Sequence, residues 1–237
     1  MRIKNIILTK IFDSRGEPTI EVTLVTHDGT KGTAQVPSGK SRGTGEASVV
    51  PFEHAARSAK AILPAMRRVN FLSPKSFDRF LCAHDGTTDK HRLGGNFMLG
   101  CSLAFACAMA IERKQELWEL IEKYYFPEKS AASRKTRPMI FSNLINGGVH
   151  AATNLSIQEY IAVAKPVGTS AEMVARVISL YREVGNVIER RTGLARLPLG
   201  DEGGYAVDFK DNLAPIKFLA QSIKKLRFDE VFSLAID

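Results

Sequence analysis

Cysteine is scarce in this chain, and its few cysteines are not spaced like metal ligands. Cys82, Cys101 and Cys107 are the three cysteines, and no two of them form a CxxC pair. Cys101 and Cys107 lie in an alanine-rich apolar run, where cysteine behaves as a small hydrophobic residue. We therefore expect reduced thiols and a cytoplasmic protein.

The sequence also lacks an apolar run long enough to cross a membrane. Its longest such stretch, 97–111, contains Gly100 and Ser102 and is shorter than the roughly 20 residues that a membrane-spanning helix needs. Residues 1–8 do not show the long apolar segment and small-residue cleavage site of a secretory signal. The pattern predicts a buried helix at 97–111 and no membrane partner.

Basic residues are in excess, but they are not concentrated in one segment. The 237 residues include 33 Lys and Arg against 25 Asp and Glu, which gives a formal net charge of +8. Nucleic-acid-binding surfaces typically cluster their basic residues in a patch or stripe. Here the basic pairs, such as Arg67-Arg68 and Arg190-Arg191, are scattered and indicate solvated faces. Nucleic acid is therefore not an expected partner.

The first part of the chain, 1–126, predicts an α+β domain. Two segments rich in β-branched residues, 3–12 and 19–26, flank a polar turn, and Asp28-Gly29 favours a hairpin into a third strand at 31–36. Apolar periodicity then predicts helices, the first of them interrupted at Pro64, at 52–69, 74–82, 96–112 and 115–124.

A polar and basic connector, 127–138, separates this part from a second one, 139–237. The second part begins with two predicted strands, 139–145 and 156–163, and no helix fits between them. A helix from Ser170 to a stop at Gly193 follows, and then a helix at 212–227 and a strand at 231–237. Alternating strands and helices predict an α/β arrangement.

The stretch 197–205 places two adjacent carboxylates, Asp201 and Glu202, between glycines. Its apolar start predicts a buried strand that runs into a tight turn, with little side-chain bulk around Glu202. An isolated Asp-Glu-Gly-Gly is also typical of a plain acidic turn. Other predicted strand ends carry polar groups too, at Asn146, Glu159 and Asp237, and barrel enzymes display such groups at one rim.

Residues 37–47 form a loop rich in glycine, serine and cations. It is not a phosphate-binding P-loop, because Ala34 stands where the GxxxxGK[ST] pattern requires glycine. A loop that contacts an anion or metal and a plain flexible loop are both compatible with this composition.

Seven short motifs follow one another along the chain, namely DSRGEPT at 13–19, VPSG at 36–39, DGT at 85–87, LGCSLA at 99–104, NGGVH at 146–150, QEY at 158–160 and GDEGG at 200–204. Taken together and in this order, they resemble the enolase family, which dehydrates 2-phosphoglycerate to phosphoenolpyruvate in glycolysis. The resemblance implies an α+β N-terminal domain capping a TIM-like barrel that opens with two strands before its first helix.

The resemblance also implies roles for particular residues. Glu202 corresponds to the acid that helps the C3 hydroxide leave, and Glu159 and His150 to the substrate-site network. Ser41 corresponds to the mobile-loop serine that reaches substrate and the second magnesium, and Asp237 to a ligand of the first. The implied cofactor is Mg²⁺, and the implied assembly is a homo-oligomer.

The loop around Ser41 departs from the family pattern. Lys40 and Arg42 flank the serine where small residues are usual, and Gly45 stands where a histidine is common. Added cations beside a doubly charged substrate and magnesium can attract the phosphate or repel the metal.

Length limits what these residues can do alone. A TIM barrel takes roughly 250 residues, so 139–237 corresponds to about half of one. The resemblance places the other metal ligands, the lysine base and the phosphate-binding arginine after Asp237, so we expect residues 1–237 alone to be inactive. The alternative is a non-catalytic enolase-like protein that binds a partner through its basic surface.

Overall fold

The computed structural model describes residues 1–39, 43–128 and 137–237, and for His150 it describes the backbone alone. The chain forms two compact units, Met1–Lys129 and Ser130–Asp237. Each unit has its own apolar core and is described by itself.

Unit 1 begins with an antiparallel sheet of three strands in chain order, which confirms the predicted meander. Its strands are β1 (Ile3–Phe12), β2 (Pro18–Thr26) and β3 (Lys31–Gln35). The polar turn between β1 and β2 forms because Asp13 Oδ1 accepts hydrogen bonds from the backbone N–H groups of Arg15 (2.8 Å) and Glu17 (3.0 Å).

The described residues of unit 1 also form four α-helices, α1 (Phe52–Arg67), α2 (Pro74–Asp85), α3 (Gly95–Glu112) and α4 (Leu117–Tyr125). The predicted interruption at Pro64 is wrong, because α1 continues through it. Proline removes the hydrogen bond to the carbonyl of Lys60, but Ile62 before it and Met66 after it are both buried in the core. Packing on both sides therefore holds the last turn.

Helix α3 is the core helix of unit 1. The sequence predicts a run too short to cross a membrane, whereas α3 has 18 residues and a mean hydropathy of 1.4, which suffice by length and composition alone. However, 61% of this helix is buried within the structure. This burial confirms the buried helix expected at 97–111. Strand β3 packs closely against it, because a Cβ atom added at Gly32 would lie 2.1 Å from the carbonyl oxygen of Ala104 and 2.4 Å from the nitrogen of Ala108.

Unit 2 contains a second antiparallel sheet, of order β4-β5-β6, and two long helices. Its elements are β4 (Ile140–Asn146), β5 (Glu159–Ala164), α5 (Ser170–Thr192), α6 (Ala214–Lys225) and β6 (Phe232–Ile236). Helix α5 ends at Gly193, whose φ of 69° is left-handed, as the sequence predicts. The described residues of this unit do not form a closed barrel.

Two predictions about the connections of unit 2 have opposite outcomes. Between β4 and β5 the described chain forms only a short 3-10 turn, Gly148–His150, which confirms a junction without an α-helix.

The buried strand predicted at 197–199 is wrong: Leu199 forms a single isolated bridge to Tyr205 and is 53% exposed. Tyr205, and not Leu199, lies beside β4, through a parallel bridge to Ile145.

Replacing Gly32 by alanine is expected to destabilise unit 1 by about 1–3 kcal/mol, because the new methyl group would overlap the backbone of α3. Urea unfolding followed by the fluorescence of Trp118 measures this, since the single tryptophan lies on α4. Gly45→Ala is the matched control, because a Cβ atom at Gly45 meets nothing within 4 Å. Equal unfolding midpoints for the two variants would contradict the close packing of β3 on α3.

Candidate active site

Polar strand ends meet at one edge of the sheet in unit 2. Because the three strands alternate in direction, the ends of β4 and β6 lie beside the start of β5. Asn146 is paired with Glu159, and the backbone of Glu159 exchanges hydrogen bonds with that of Asp237 at 3.0 and 3.1 Å. The backbone pairing therefore brings the predicted site residues Glu159 and Asp237 to one edge.

Two asparagine amides hold the carboxylate of Glu202 at β4. Its Oε2 atom accepts a hydrogen bond from Asn143 Nδ2 at 3.0 Å and a longer one from Asn146 Nδ2 at 3.5 Å. Because a carboxylate oxygen accepts from both amides, the carboxyl group of Glu202 is oriented toward β4. Glu202, the third predicted carboxylate, therefore contacts β4, the strand whose last residue pairs with Glu159.

A β-bulge in β4 explains how both amides reach the same oxygen. In a regular strand, residues three apart point to opposite faces. Here the register shifts, because Asn143 pairs with Ile161 while Ile145 pairs with Tyr160, which leaves Leu144 as the extra residue. The extra residue returns Asn146 to the side of Asn143, where both contact Glu202.

The glycines around Glu202 make room for Asn146. A Cβ atom at Gly200 would lie 2.6 Å from Asn146 Oδ1, and one at Gly204 would lie 2.4 Å from it. The turn is closed by Gly203 N–H donating to the carbonyl of Gly200 at 3.0 Å, and Gly203 has a left-handed φ of 81°. These glycines therefore serve the packing of a protein side chain, in addition to the turn that the sequence predicts.

Two stacked tyrosines, Tyr181 on α5 and Tyr205 directly after the turn, support the turn. Tyr181 donates its hydroxyl hydrogen bond to the carbonyl of Gly203 at 2.8 Å, and Tyr205 donates to the carbonyl of Tyr181 at 3.2 Å. Their ring centroids are 4.6 Å apart. Burial raises the pKa of the Tyr205 phenol, and the neighbouring Tyr181 raises it further, so this hydroxyl remains a donor at neutral pH.

A further asparagine, Asn154, ties the loop after β4 to the segment that follows Tyr205. Its Nδ2 donates to the carbonyl of Phe209 at 2.6 Å, and its Oδ1 accepts from Phe209 N–H at 3.2 Å. Its own backbone N–H donates to Asp208 Oδ1 at 2.9 Å. Both segments that flank the site are therefore fixed to one another within unit 2.

The remaining predicted residues lie outside what the structure describes. Ser41 falls in the undescribed residues 40–42, and only the backbone of His150 is described, in the 3-10 turn that follows β4. That turn is anchored to the start of β5, because Gly147 N–H donates to the carbonyl of Gln158 at 2.9 Å. The roles of Ser41 and His150 stay predictions.

The metal site is not complete within the described residues. Asp237 offers carboxylate oxygen, the ligand type that magnesium prefers. Over 1–39, 43–128 and 137–237, however, no three His, Cys, Asp or Glu residues are grouped so that they could hold a metal ion. These residues alone do not fit a magnesium ion, and Asp237 remains a predicted single ligand.

Sequence reasoning did not identify Asn143 and Asn146 as the partners of Glu202. The available signal was an amide inside a mostly apolar strand, Asn143 in 139–145, since an amide placed in a sheet core requires a hydrogen-bond partner. The bulge at Leu144 that unites the two amides leaves no comparable mark in the sequence.

A carboxylate oriented by two amides, next to a strand end that carries further carboxylates, is the kind of arrangement that acid–base chemistry on a strand-and-helix scaffold requires. Comparison with known proteins agrees with this class. A family model described as "Enolase, N-terminal domain" matches residues 3–121, and one described as "Enolase, C-terminal TIM barrel domain" matches residues 134–237. The chain belongs to the enolase family.

Curated relatives support the same assignment. The enolase of Methanocaldococcus jannaschii is 32% identical over 99% of this chain, and that of Methanopyrus kandleri is 32% identical over 100% of it. Enolase 1 of Lactobacillus gasseri is 33% identical over 99% of it. The chain spans 56%, 56% and 55% of the lengths of these three relatives, respectively.

The packing of Asn146 against the turn can be tested with a double-mutant cycle. Gly204→Ala is expected to destabilise unit 2 by about 1–3 kcal/mol, because its methyl group would overlap Asn146 Oδ1. In an Asn146→Ala background the same change should cost clearly less, since the clashing amide is gone. Hydrogen exchange of the backbone amides of β4 measures both costs, and strict additivity would argue against the contact.

Proposed function

We propose that this chain supplies the N-terminal domain and the first barrel elements of an enolase that reversibly dehydrates 2-phosphoglycerate to phosphoenolpyruvate. The observation that carries the proposal is the carboxylate of Glu202, oriented by Asn143 and Asn146 on the strand whose end pairs with Glu159. Family membership supports the same reaction.

In this proposal Glu202 is the general acid. Dehydration breaks the C3–O bond, and the departing hydroxide needs a proton as that bond breaks. The two amide donors fix Oε2 of Glu202, so the carboxyl group keeps one orientation during this transfer. Asn143 acts through Glu202 and is therefore a positioning residue.

The other residues bind and orient the substrate. Glu159, at the start of β5, and His150, in the turn after β4, belong to the proposed substrate-site network. Asp237 and Ser41 would each contribute an oxygen ligand to magnesium, and Ser41 also contacts the substrate. Magnesium, when bound, supplies positive charge that stabilises negative charge developing on the substrate. A cytoplasmic homodimer is part of the same proposal.

The test is a chimaera of this chain with the part of the Methanocaldococcus jannaschii enolase that lies outside the match. We expect the chimaera to form phosphoenolpyruvate and residues 1–237 alone to form none. The alternative, a non-catalytic protein that binds a partner through its basic surface, predicts a folded but inactive chimaera. An inactive chimaera with native-like circular dichroism and the oligomeric state of the relative would therefore contradict the proposal.

In the active chimaera, Glu202→Gln is expected to lower kcat by about 10²–10⁴-fold with little change in KM, because the acid acts mainly as the leaving group departs. Steady-state kinetics of phosphoenolpyruvate formation measures this. Asp201→Asn, at the adjacent carboxylate in the same turn, is the matched control and should lower kcat much less. Near-normal turnover of Glu202→Gln would remove Glu202 from the acid role.

Magnesium binding provides a test that does not depend on activity. Calorimetric titration of residues 1–237 should show no saturable binding, because magnesium gives up its waters reluctantly and one predicted carboxylate is not a site. The chimaera should show saturable binding, which Asp237→Asn weakens. Equal magnesium affinity in the chimaera with and without this substitution would exclude Asp237 as a ligand.

A further inference from the structure

Unit 1 contains a hollow that the proposed reaction does not use. It lies between α1, α2 and the loop that follows α2, and its volume is about 330 Å³. We call it the cationic hollow, and it is lined by His54, Arg57, Ser58, Ala61, Ile62, His84, Arg92 and Leu93. A volume of this size is at the small end of the range of ligand pockets in proteins.

The cationic hollow has an apolar floor and a nitrogen-rich rim. Ile62 and Leu93 are buried, with 3% and 6% of their surfaces exposed. Arg57, His84 and Arg92 are exposed, and no aspartate or glutamate lines the hollow. The lining therefore favours a ligand that combines negative charge with an apolar body.

Three polar side chains of the hollow, Ser58, Arg57 and Arg92, lack protein partners among the described residues. Ser58 is only 5% exposed, yet among the described residues its hydroxyl makes no hydrogen bond. Within the same described set, the guanidinium groups of Arg57 and Arg92 form neither a hydrogen bond nor an ion pair. Among the described residues, Ser58 Oγ does not count as a buried polar atom without a partner, so it is open to the hollow, and the two guanidinium groups are exposed. The hollow therefore presents three donor groups that a ligand can reach without breaking a protein hydrogen bond.

The wall of the hollow is fixed before any ligand arrives. His54 Nε2 donates to the carbonyl of Arg92 at 2.9 Å, and Leu93 N–H donates to Asp85 Oδ2 at 2.7 Å. Asp85 is fully buried and also accepts from Thr87 N–H at 3.0 Å, so its charge is engaged by its own loop. The loop after α2 is therefore held by one hydrogen bond at Arg92, on the rim, and by another at Leu93, on the floor.

We propose that the cationic hollow binds a small organic oxyanion, a carboxylate or phosphate monoester on a compact apolar body. The guanidinium groups of Arg57 and Arg92 pair with the oxyanion, as arginine does with planar and tetrahedral oxyanions. The Ser58 hydroxyl donates to it, and the apolar body packs on Ala61, Ile62 and Leu93. This site belongs to unit 1 and is separate in sequence from Glu202, Glu159 and Asp237.

The probe for this site is phenyl phosphate, titrated into the ¹⁵N-labelled full chain and followed by NMR. We expect saturable shift changes of the backbone amides in 54–62 and 84–93. Inorganic phosphate lacks the apolar body and benzyl alcohol lacks the charge, so each should bind at least roughly 10-fold more weakly if both parts of the hollow contribute. Benzoate should bind in the same place, because the proposal requires an oxyanion and not phosphorus.

Variants separate a built site from general attraction by positive charge. The double variant Arg57→Gln with Arg92→Gln should weaken phenyl phosphate binding at least roughly 10-fold. Ser58→Ala should weaken it several-fold, and this variant should still fold because alanine has a high helix propensity. The matched control is Lys60→Gln with Arg79→Gln, which removes two charges from α1 and α2 outside the hollow and should leave affinity unchanged.

Three outcomes would overturn the proposal. The first is an absence of saturable shifts in 54–62 and 84–93, including the case in which shifts occur only in 143–159 and 200–205. The second is an unchanged affinity after Arg57→Gln with Arg92→Gln. The third is an equal loss of affinity in the control pair, which would assign the binding to net charge alone.

Discussion

The buried side chain of Asn146 is the constraint on which the candidate site depends. Its Nδ2 contacts Glu202, its Oδ1 lies against Gly200 and Gly204, and its backbone N–H donates to the carbonyl of Tyr205 at 3.1 Å. Among the described residues, Oδ1 of Asn146 has no hydrogen-bond partner, and an unpaired buried acceptor costs about 1–3 kcal/mol. The fold tolerates this cost where the amide orients a carboxylate, which is the kind of place where such exceptions occur.

Most elements of the fold could be predicted because their signals are local. The β-branched residues of β2 and the glycine that ends α5 act on neighbouring residues, and both predictions are confirmed. The interruption at Pro64 and the buried strand at 197–199 were wrong for a different reason. The observed structure at both places is decided by contacts with residues distant in sequence. The core that surrounds Ile62 and Met66 holds α1 together at Pro64, and β4 pairs with Tyr205 and not with Leu199. Local propensity does not contain those contacts.

The same division applies to the site. Glu159 and Asp237 could be placed at strand ends from sequence, and the antiparallel pairing then brings their backbones into hydrogen-bond contact. The hydrogen bonds to Glu202 could not be predicted. They require Leu144 to be an extra residue in β4, which places the side chains of Asn143 and Asn146 on the same face. A bulge is set by the register of the partner strand, so the sequence of β4 alone does not define it.

The two sites that we propose differ in how their polar groups are satisfied, and this difference separates their functions. Glu202 belongs to the protein and is already oriented by its own amides, so the arrangement presents a fixed group to whatever binds. In the cationic hollow the unpaired groups are donors, Ser58 together with Arg57 and Arg92, and nothing in the described chain accepts from them. Pre-oriented protein groups suit chemistry, because the enzyme avoids reorganisation during the reaction. Donors without protein partners around an apolar floor suit recognition, because the oxyanion of a ligand can accept hydrogen bonds from them.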